Sequence, residues 1–390
     1  MNRKLFTLLL VICLQFACAK KIPPKWSTQN SMLMSSAINL QDDLDKTSLI
    51  LALNNSISYF QNLPADRTFT FGNKTISKNQ MIASQKEFIN ALHKFGLSKQ
   101  LNDFLAANFD FYKSASSDVL VTGYFEPALR GSFTQSEKYF YPLYRKPNDL
   151  VTVKLSEFFP NNPELPQEIR GRLVGDTIHL YYDREAIDYK QSLANKGLEL
   201  VWVDDLLDAF FLHIQGSGIV YLDNGNKVRV NYANQNGHPY RAIGKYLVDR
   251  GYLKLKDASM QGIKKALREN PQIVKDVLSW NPSYVFFRKV DKGPIGSIGQ
   301  VLTPFRSIAL DKSIFPRGSL AVLKSSEPVF DTHGNLTWKP FTRFVVNQDT
   351  GGAINGAGRV DYFMGHGNQS AEKAGVMKQA GELFFLLKKS

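Results

Sequence analysis

The chain has 390 residues, of which 43% are apolar and two are cysteines, and its formal net charge is +13 at neutral pH. This length and apolar content are sufficient for a buried core and indicate two domains. Two cysteines cannot build a disulfide framework, so the composition excludes a disulfide-stapled scaffold and favours a chain that depends on its hydrophobic core.

Residues 1–19 are predicted to be a signal peptide. Two basic residues precede an apolar run of 12 residues, Leu5 to Phe16, which is too short to span a bilayer but has the length of a signal-peptide core. The Ala-Cys-Ala sequence that follows fits ordinary cleavage, with Lys20 as the first mature residue. Cys18 also fits a bacterial lipoprotein signal, which is favoured because both cysteines of the chain lie in the leader.

After the leader, no stretch approaches 18 uninterrupted apolar residues, so no other membrane-spanning segment is predicted. An exported chain with a positive charge suits anionic partners, namely lipid headgroups, lipopolysaccharide or a cell wall that carries peptide carboxylates. The alternative is a basic surface without a specific partner. Nucleic acid is not expected, because the chain is exported and its basic residues are scattered rather than clustered.

The first part of the mature chain is predicted to be helical after a polar tether, Lys20 to Ser36. Apolar residues recur at helical spacing in three segments, and Ser77 and Gly96 provide an N-cap and a stop for the second segment. The three predicted helices are Leu40–Phe60, Ser77–Phe95 and Lys99–Tyr112.

From Val119 onward the pattern changes to short strands, and Asn224-Gly225 between two alternating runs predicts a hairpin. A helix is predicted to have Pro239 at its first position and to end at Gly251. Many short strands of this kind indicate barrels. The remaining predictions are helices at Ala258–Arg268 and Gln272–Trp280, and strands at Ser283–Phe287, Ser307–Asp311, Leu320–Leu323, Arg343–Asp349 and Val360–Met364.

No metal site is predicted, because the six histidines form no HxH or HxxxH pair and the mature chain has no internal thiol. Ser217 lies between Gly216 and Gly218 but lacks the spacing of a nucleophile elbow. A glycine-permitted turn at a strand end is therefore favoured over a nucleophile. The backbone N–H groups of such a turn remain candidates for lining a binding groove.

Two aspartates in the glycine-rich segment from Asn347 to Gly367 are candidates for chemistry. Asp349 begins a D-T-G triplet, but an aspartic protease needs two such carboxylates and the chain contains one copy. Asp361 precedes an apolar run, Tyr362 to Met364, and an aspartate among apolar groups can hold a proton near neutral pH, as a general acid must. On local sequence, a turn-capping role for Asp361 is an equal alternative.

Six segments occur in a fixed order along the chain: VTGYFEP (121–127), FFLHIQGSG (210–218), NGHPYRAIGKYLVDRG (236–251), NPSYVFFR (281–288), LTPFRSIALD (302–311) and QDTGGAINGAGRVDYFMGHG (348–367). Together they resemble the successive motifs of the membrane-bound lytic murein transglycosylase A family and cover about residues 119–388. Six motifs in order are far more specific than any single one. The final hundred residues also resemble the module named for three aspartates, which here are Asp311, Asp349 and Asp361.

The resemblance implies a mainly β fold with N-terminal helices. A double-psi β-barrel domain carries an inserted second β-rich, barrel-like domain, and a substrate groove lies between the two. The implied boundaries are the signal peptide (1–19), the N-terminal helical part of the barrel domain (20–126), the insert (127–291) and the C-terminal part of the barrel domain (292–390).

The resemblance also implies one catalytic carboxylate, Asp361, with Asp349 and Asp311 in supporting roles. Substrate-binding residues are expected in two of the motifs, where hydroxyl, amide and backbone groups can hold a glycan. For Tyr124, packing in the core is the alternative to stacking on a sugar. The expected substrate-binding residues are Thr122, Gly123, Tyr124, Gln215, Gly216, Ser217 and Gly218.

The implied reaction cleaves the β-1,4 bond between N-acetylmuramic acid and N-acetylglucosamine in peptidoglycan and leaves 1,6-anhydro-N-acetylmuramic acid ends, which makes the enzyme a lyase. The alternative is a non-catalytic peptidoglycan-binding lipoprotein on the same fold. The expected partners are glycan strands, the membrane through a lipid anchor on Cys18, and a cell-wall synthesis complex. A monomer without a cofactor is expected at the periplasmic face of the outer membrane of a diderm bacterium, with a soluble periplasmic form as the alternative.

Overall fold

The computed structural model describes residues 25–160, 162 and 165–389. The predicted signal peptide, the predicted lipidation site Cys18 and the first residues of the tether lie outside the described residues. Within these ranges, no helix combines the length and the apolar character that crossing a membrane requires.

The first part of the chain contains the three predicted helices together with four strands that were not predicted. Its elements are β1 (Met32–Ser35), α1 (Lys46–Gln61), β2 (Thr68–Phe71), β3 (Lys74–Ser77), α2 (Lys78–Phe95), α3 (Lys99–Asn108), β4 (Phe109–Ser114) and β5 (Val119–Glu126). The predicted ends of α2 are confirmed, because Ser77 and Gln80 form a capping box and Gly96 follows the last residue. The start of α1 was predicted too early, since Asp45 caps this helix by accepting a hydrogen bond from the Ser48 N–H.

The middle of the chain forms the insert. Its elements are β6 (Ala128–Ser132), β7 (Tyr141–Tyr144), β8 (Leu150–Val153), α4 (Leu155–Phe158), β9 (Ile169–Val174), β10 (Thr177–His179), α5 (Arg184–Asp188), β11 (Glu199–Val203), α6 (Leu206–Gln215), β12 (Ser217–Leu222), β13 (Lys227–Gln235), α7 (Ile243–Asp249), α8 (Met260–Glu269), α9 (Val274–Trp280) and β14 (Val285–Val290). The predicted hairpin at Asn224-Gly225 is confirmed as the turn between β12 and β13. The helix predicted from Pro239 begins at Ile243 instead, because the Arg241 N–H donates to the side chain of Asn281.

The last part of the chain is again mostly β. Its elements are β15 (Ser307–Ala309), β16 (Leu320–Phe330), β17 (Leu336–Asp349), β18 (Arg359–His366), α10 (Asn368–Val376) and β19 (Lys378–Lys388). The strands β16 and β17 form a hairpin much longer than the two predicted segments. The long strand β19 was not predicted; it pairs with β4, which is why the predicted third helix ends at Asn108 and its last residues become a strand.

Six strands close into a barrel. Around the barrel the order is β19, β16, β17, β15, β18 and β5, and β5 pairs again with β19. Neighbouring strands β18 and β5 are parallel, as are β15 and β17. One face of this wall carries a buried apolar cluster that includes Val121, Val345, Val360 and Tyr362. The predicted mainly β fold with a barrel is thus confirmed.

The insert has its own six-stranded sheet, in the order β14, β13, β12, β6, β11 and β7. A bridge between Arg145, which follows β7, and Phe287 of β14 joins the two edges, so the sheet is barrel-like. Its core contains Leu143, Val220 and Phe287, all fully buried. The insert therefore has a hydrophobic core separate from that of the barrel.

The helical first part is held to the barrel by a buried arginine. Arg306 is 0% exposed and forms an ion pair with Asp42 at 2.5 Å. Its guanidinium also donates to the backbone oxygens of Asp45 (2.8 Å) and Phe344 (2.9 Å) and to the hydroxyl of Ser48 (3.1 Å). A buried charge with this many partners has its lost hydration replaced by fixed groups, so it ties the start of α1 to the barrel strands.

We expect Arg306→Leu to lower the free energy of unfolding by about 3–5 kcal/mol, because it leaves Asp42 buried without its cation. Denaturant unfolding followed by circular dichroism measures this loss. Lys99→Ala is the control, because Lys99 and Asp103 form an exposed pair worth less than about 1 kcal/mol. Equal losses in the two variants would show that the buried ion pair does not hold the helical part in place.

Candidate active site

A three-residue strand, β15, brings the two candidate aspartates to the same face of the barrel. Ala309 lies opposite Asp349 in the parallel pairing with β17 and opposite Asp361 in the antiparallel pairing with β18. On the other side of β18, Thr122 lies opposite Asp361. Residues directly opposite each other share one face of a sheet, so these side chains form a row. At the usual strand spacing, the Cα atoms of the two aspartates are about 9–10 Å apart.

Asp361 is the member of this row that is suited to proton transfer. Asp361 as a whole residue is partly exposed, yet burial of its carboxyl raises the pKa to about 6. Three groups oppose the rise: Thr122, whose hydroxyl donates to Oδ1 at 2.8 Å, the positive charge of Arg359, and the backbone N–H of Tyr362. The prediction of a raised pKa is confirmed. The turn-capping alternative is wrong, because Asp361 lies within β18 rather than in a turn.

Asp349, the last residue of β17, is occupied by neighbouring donors. Its carboxylate accepts hydrogen bonds from the hydroxyl of Tyr124 at 3.0 Å, from the backbone N–H of Ser297 at 3.0 Å and from the backbone N–H of Thr350. Burial raises the pKa of Asp349 to about 6, and the charge of Asp361 adds to the rise. With these partners, Asp349 links the end of β17 to Tyr124 and to the segment that contains Ser297.

Asp311 lies outside the row and braces a loop. Its carboxylate accepts from the backbone N–H and the hydroxyl of Ser313, at 2.9 and 2.6 Å, and from the backbone N–H of Gly356 at 2.7 Å. Gly356 belongs to the loop that connects Asp349 to Asp361. Asp311 therefore holds that loop to the segment that follows β15.

Two of the residues expected to bind substrate contribute to packing, and one of them, Gly123, also lines the cavity between the barrel and the insert. Tyr124 is buried, packs on the ring of Phe363 at 5.2 Å between centroids and donates to Asp349, so its ring is not available for stacking on a sugar. A Cβ at Gly123 would lie 2.9 Å from the side chain of Met364 and 3.0 Å from the Cα of Ala374. Gly123 is thus required for close packing of α10 on β5.

The turn that follows α6 is also enclosed. Gly216 ends the helix with φ of 78°, a conformation that favours glycine, and Ser217 is buried at the start of β12. A Cβ at Gly218 would lie 2.5 Å from Leu212. The turn expected for Ser217 is confirmed, but these three residues shape the strand and do not contact the cavity near Asp361. Gln215 does line the cavity, and its Oε1 accepts from the Phe125 N–H at 3.0 Å.

A cavity of about 920 Å³ lies between the barrel and the insert, and Thr122 and Gly123 are part of its lining. The insert contributes Gln215, Tyr240 and Tyr252 to its lining, and the long hairpin contributes Trp338. Burial raises the pKa of Tyr240, and the charge of Asp361 adds to this rise, which places the tyrosine near the aspartate. Sequence reasoning missed Tyr240 and Trp338; the first lies in a quoted motif but was assigned to a helix.

The site presents carboxyl groups, hydroxyl groups and aromatic rings to a ligand. In the part of the chain that the structure describes, no group of three His, Cys, Asp or Glu side chains is arranged to hold a metal ion. The arrangement can therefore move a proton at Asp361 and bind a polar chain along the cavity.

Comparison with known proteins gives consistent matches along the chain. The sequence matches the models of the MltA specific insert domain at residues 120–288 and of the 3D domain at residues 306–387. Membrane-bound lytic murein transglycosylase A of Escherichia coli K12 is 29% identical over 321 residues, which is 80% of this chain and 78% of that protein.

Solved structures are similar over nearly the whole chain. The membrane-bound lytic murein transglycosylase of Agrobacterium tumefaciens is 30% identical, with a TM-score of 0.75 over 92% of this chain and 98% of that chain. Escherichia coli MltA with bound chitohexaose, at 24% identity, has a TM-score of 0.67 over 94% of this chain and 96% of that chain and shows the same fold.

We expect Thr122→Val to raise the pKa of Asp361 above about 6, because the substitution removes a hydrogen bond that stabilises the carboxylate. Carboxyl ¹³C chemical shifts measured across pH, with the resonance assigned through Asp361→Asn, report this value. Thr122→Ser keeps the hydroxyl and should titrate like the wild type. An unchanged or lowered pKa in Thr122→Val would contradict the geometry.

Proposed function

The chain belongs to the MltA family of membrane-bound lytic murein transglycosylases, and we propose that it cleaves peptidoglycan between N-acetylmuramic acid and N-acetylglucosamine with Asp361 as its general acid and base. One observation carries the assignment of the residue. Asp361 combines a pKa of about 6 with a hydrogen bond from Thr122, which lines the cavity between the barrel and the insert. A carboxyl with this pKa holds a proton in a useful fraction of molecules near neutral pH.

The reaction would proceed in two proton transfers at the same carboxyl. Protonated Asp361 donates to the glycosidic oxygen as the bond to C1 of N-acetylmuramic acid breaks. The resulting carboxylate then accepts the proton of the C6 hydroxyl of the same sugar while that oxygen attacks C1. The product is a 1,6-anhydro sugar, and no water is consumed. This stoichiometry defines a carbon–oxygen lyase.

A single acid/base is sufficient because the nucleophile belongs to the substrate. An intramolecular hydroxyl has a high effective molarity, so no second carboxylate is needed to activate water. Asp349 supports this division of roles, because its oxygens already accept from Tyr124, Ser297 and Thr350. We propose that Thr122 orients the acid and that Gln215, through its amide nitrogen, contacts the glycan.

The role of Asp361 is tested with purified murein sacculi and mass spectrometry of the products. We expect wild-type protein to release 1,6-anhydro muropeptides and Asp361→Asn to lose at least about 10²-fold in turnover, as for a general acid/base. Binding of chitooligosaccharides should persist, because many groups hold the chain. Asp361→Asn that keeps more than about a tenth of wild-type turnover would return the assignment to Asp349 or Asp311.

Two further readouts accompany this experiment. Wild-type activity should fall as pH rises through about 6, because the reaction begins with protonated Asp361.

Stability gives the second readout. The pKa of Asp361 in the folded protein lies above its unfolded value of 3.8, so the wild-type free energy of unfolding decreases as pH rises between these two values. Asp361→Asn lacks this loss and should be at least as stable at pH 7, which separates a catalytic defect from unfolding. Intact sacculi with wild-type protein would indicate a non-catalytic wall-binding lipoprotein.

The proposed location is the cell envelope, at the periplasmic face of the outer membrane of a diderm bacterium. The relatives are named membrane-bound, and Cys18 closes a short apolar leader. We expect Cys18→Ser to move the protein from the membrane fraction to the periplasm, as measured by fractionation and immunoblotting. Wild-type protein that is already soluble and begins at Lys20 would indicate ordinary secretion.

A further inference from the structure

Lys378 extends the row of side chains that contains Asp361. It is the first residue of β19 and lies opposite Thr122, which in turn lies opposite Asp361 in β18. Lys378 is therefore on the same face of the barrel, two strands from the aspartate. At the usual strand spacing, the two Cα atoms are about 9–10 Å apart.

The cavity wall that belongs to the barrel carries one positive charge. This wall includes Thr122, Trp338, Val376 and Lys378, and among the described residues that line it Lys378 alone is charged. No carboxylate in the described ranges forms an ion pair with Lys378, whose side chain is exposed. The ammonium is therefore available to an anion that enters the cavity.

Charges on the opposite wall largely balance one another. It contains Lys256 next to Asp257, and Lys265 with Glu269, whose charged atoms are 3.8 Å apart. The excess positive charge of the cavity is thus on the barrel side, which is also the side that carries Asp361.

We propose that Lys378 binds a carboxylate of the peptide stem on N-acetylmuramic acid, so that the cavity favours glycan strands that carry stems over bare strands. This proposal rests on the proposed function. The bond that is cleaved follows N-acetylmuramic acid, so the sugar held at Asp361 is the one that bears the stem. An extended peptide spans about 3.3–3.6 Å per residue, and about three residues therefore cover the distance from Asp361 to Lys378.

The rest of the lining also suits a peptide. Leu255 is 70% exposed and Leu336 is 40% exposed, and both face the cavity together with Val376. Exposed aliphatic groups of this kind gain from covering the methyl groups and backbone of a peptide, whereas a hydroxylated sugar offers them little apolar surface. The cavity therefore combines apolar contacts with one cation, which matches a short peptide that carries a carboxylate.

The test compares Lys378→Met with the wild type on two substrates, namely glycan strands with intact stems and the same strands after enzymatic removal of the stems. We expect KM for stem-bearing strands to rise about two- to fivefold with kcat unchanged, the range for one exposed ion pair. KM for bare strands should not change. Added salt should weaken the wild-type preference for stem-bearing strands and should have little effect on Lys378→Met.

Two variants serve as controls. Lys378→Arg keeps the charge and should retain the preference, whereas Lys99→Met removes an exposed cation outside the cavity and should leave the preference unchanged. Equal losses on both substrates, or a wild type without a preference, would overturn the proposal. A wild type that cleaves neither substrate would overturn the proposed function, and with it this inference.

Discussion

The site depends on one irregularity in strand β17, the extra residue Gln348. Successive residues of β15 pair with Asn347 and then with Asp349, so Gln348 is a bulge. Side chains alternate along a strand, and without the extra residue Asp349 would point to the face opposite to that of Asp361. Gln348 is fully buried and donates to the Ala52 carbonyl oxygen of α1 at 2.8 Å. The N-terminal helix thereby fixes the bulge, and the bulge places both aspartates on one face.

The two aspartates have the same perturbed pKa but different surroundings. Burial raises the pKa of each to about 6, so titration behaviour alone does not separate a catalytic acid from a structural one. Their partners differ: Asp349 accepts from three donors, whereas Asp361 accepts from the backbone N–H of Tyr362 and from the hydroxyl of Thr122, a residue that lines the cavity. A glycosidase that uses water would need two free carboxylates. In the row described here, Asp361 is the one carboxylate left for this chemistry. The geometry therefore favours chemistry in which the substrate supplies the nucleophile.

Local patterns in the sequence predicted what local interactions determine. The ends of α2 and the turn at Asn224-Gly225 were predicted correctly, because caps and tight turns depend on adjacent residues. Strand β4 was read as helix, since its pairing partner β19 lies more than 250 residues away along the chain. The raised pKa of Asp361 was predicted from its apolar neighbours. In the structure, Val360 and Tyr362 point to the opposite face, whereas Phe363 shares the face of Asp361. The other residues on that face come from neighbouring strands and from the insert, and a single sequence does not reveal them.

The cavity is formed before a ligand binds, because polar contacts fix the insert on the barrel at more than one point. Glu126, at the end of β5, forms a buried ion pair with Arg229 of β13. Asn231 of β13 exchanges two hydrogen bonds with the backbone of Ile295, at 2.7 and 3.0 Å, on the segment that returns to the barrel. Gln261 of α8 donates to a backbone oxygen of α10 at 3.0 Å. Holding the groups in place before binding reduces the entropy lost when a glycan is positioned, and these contacts set the distance between Asp361 and the insert in advance.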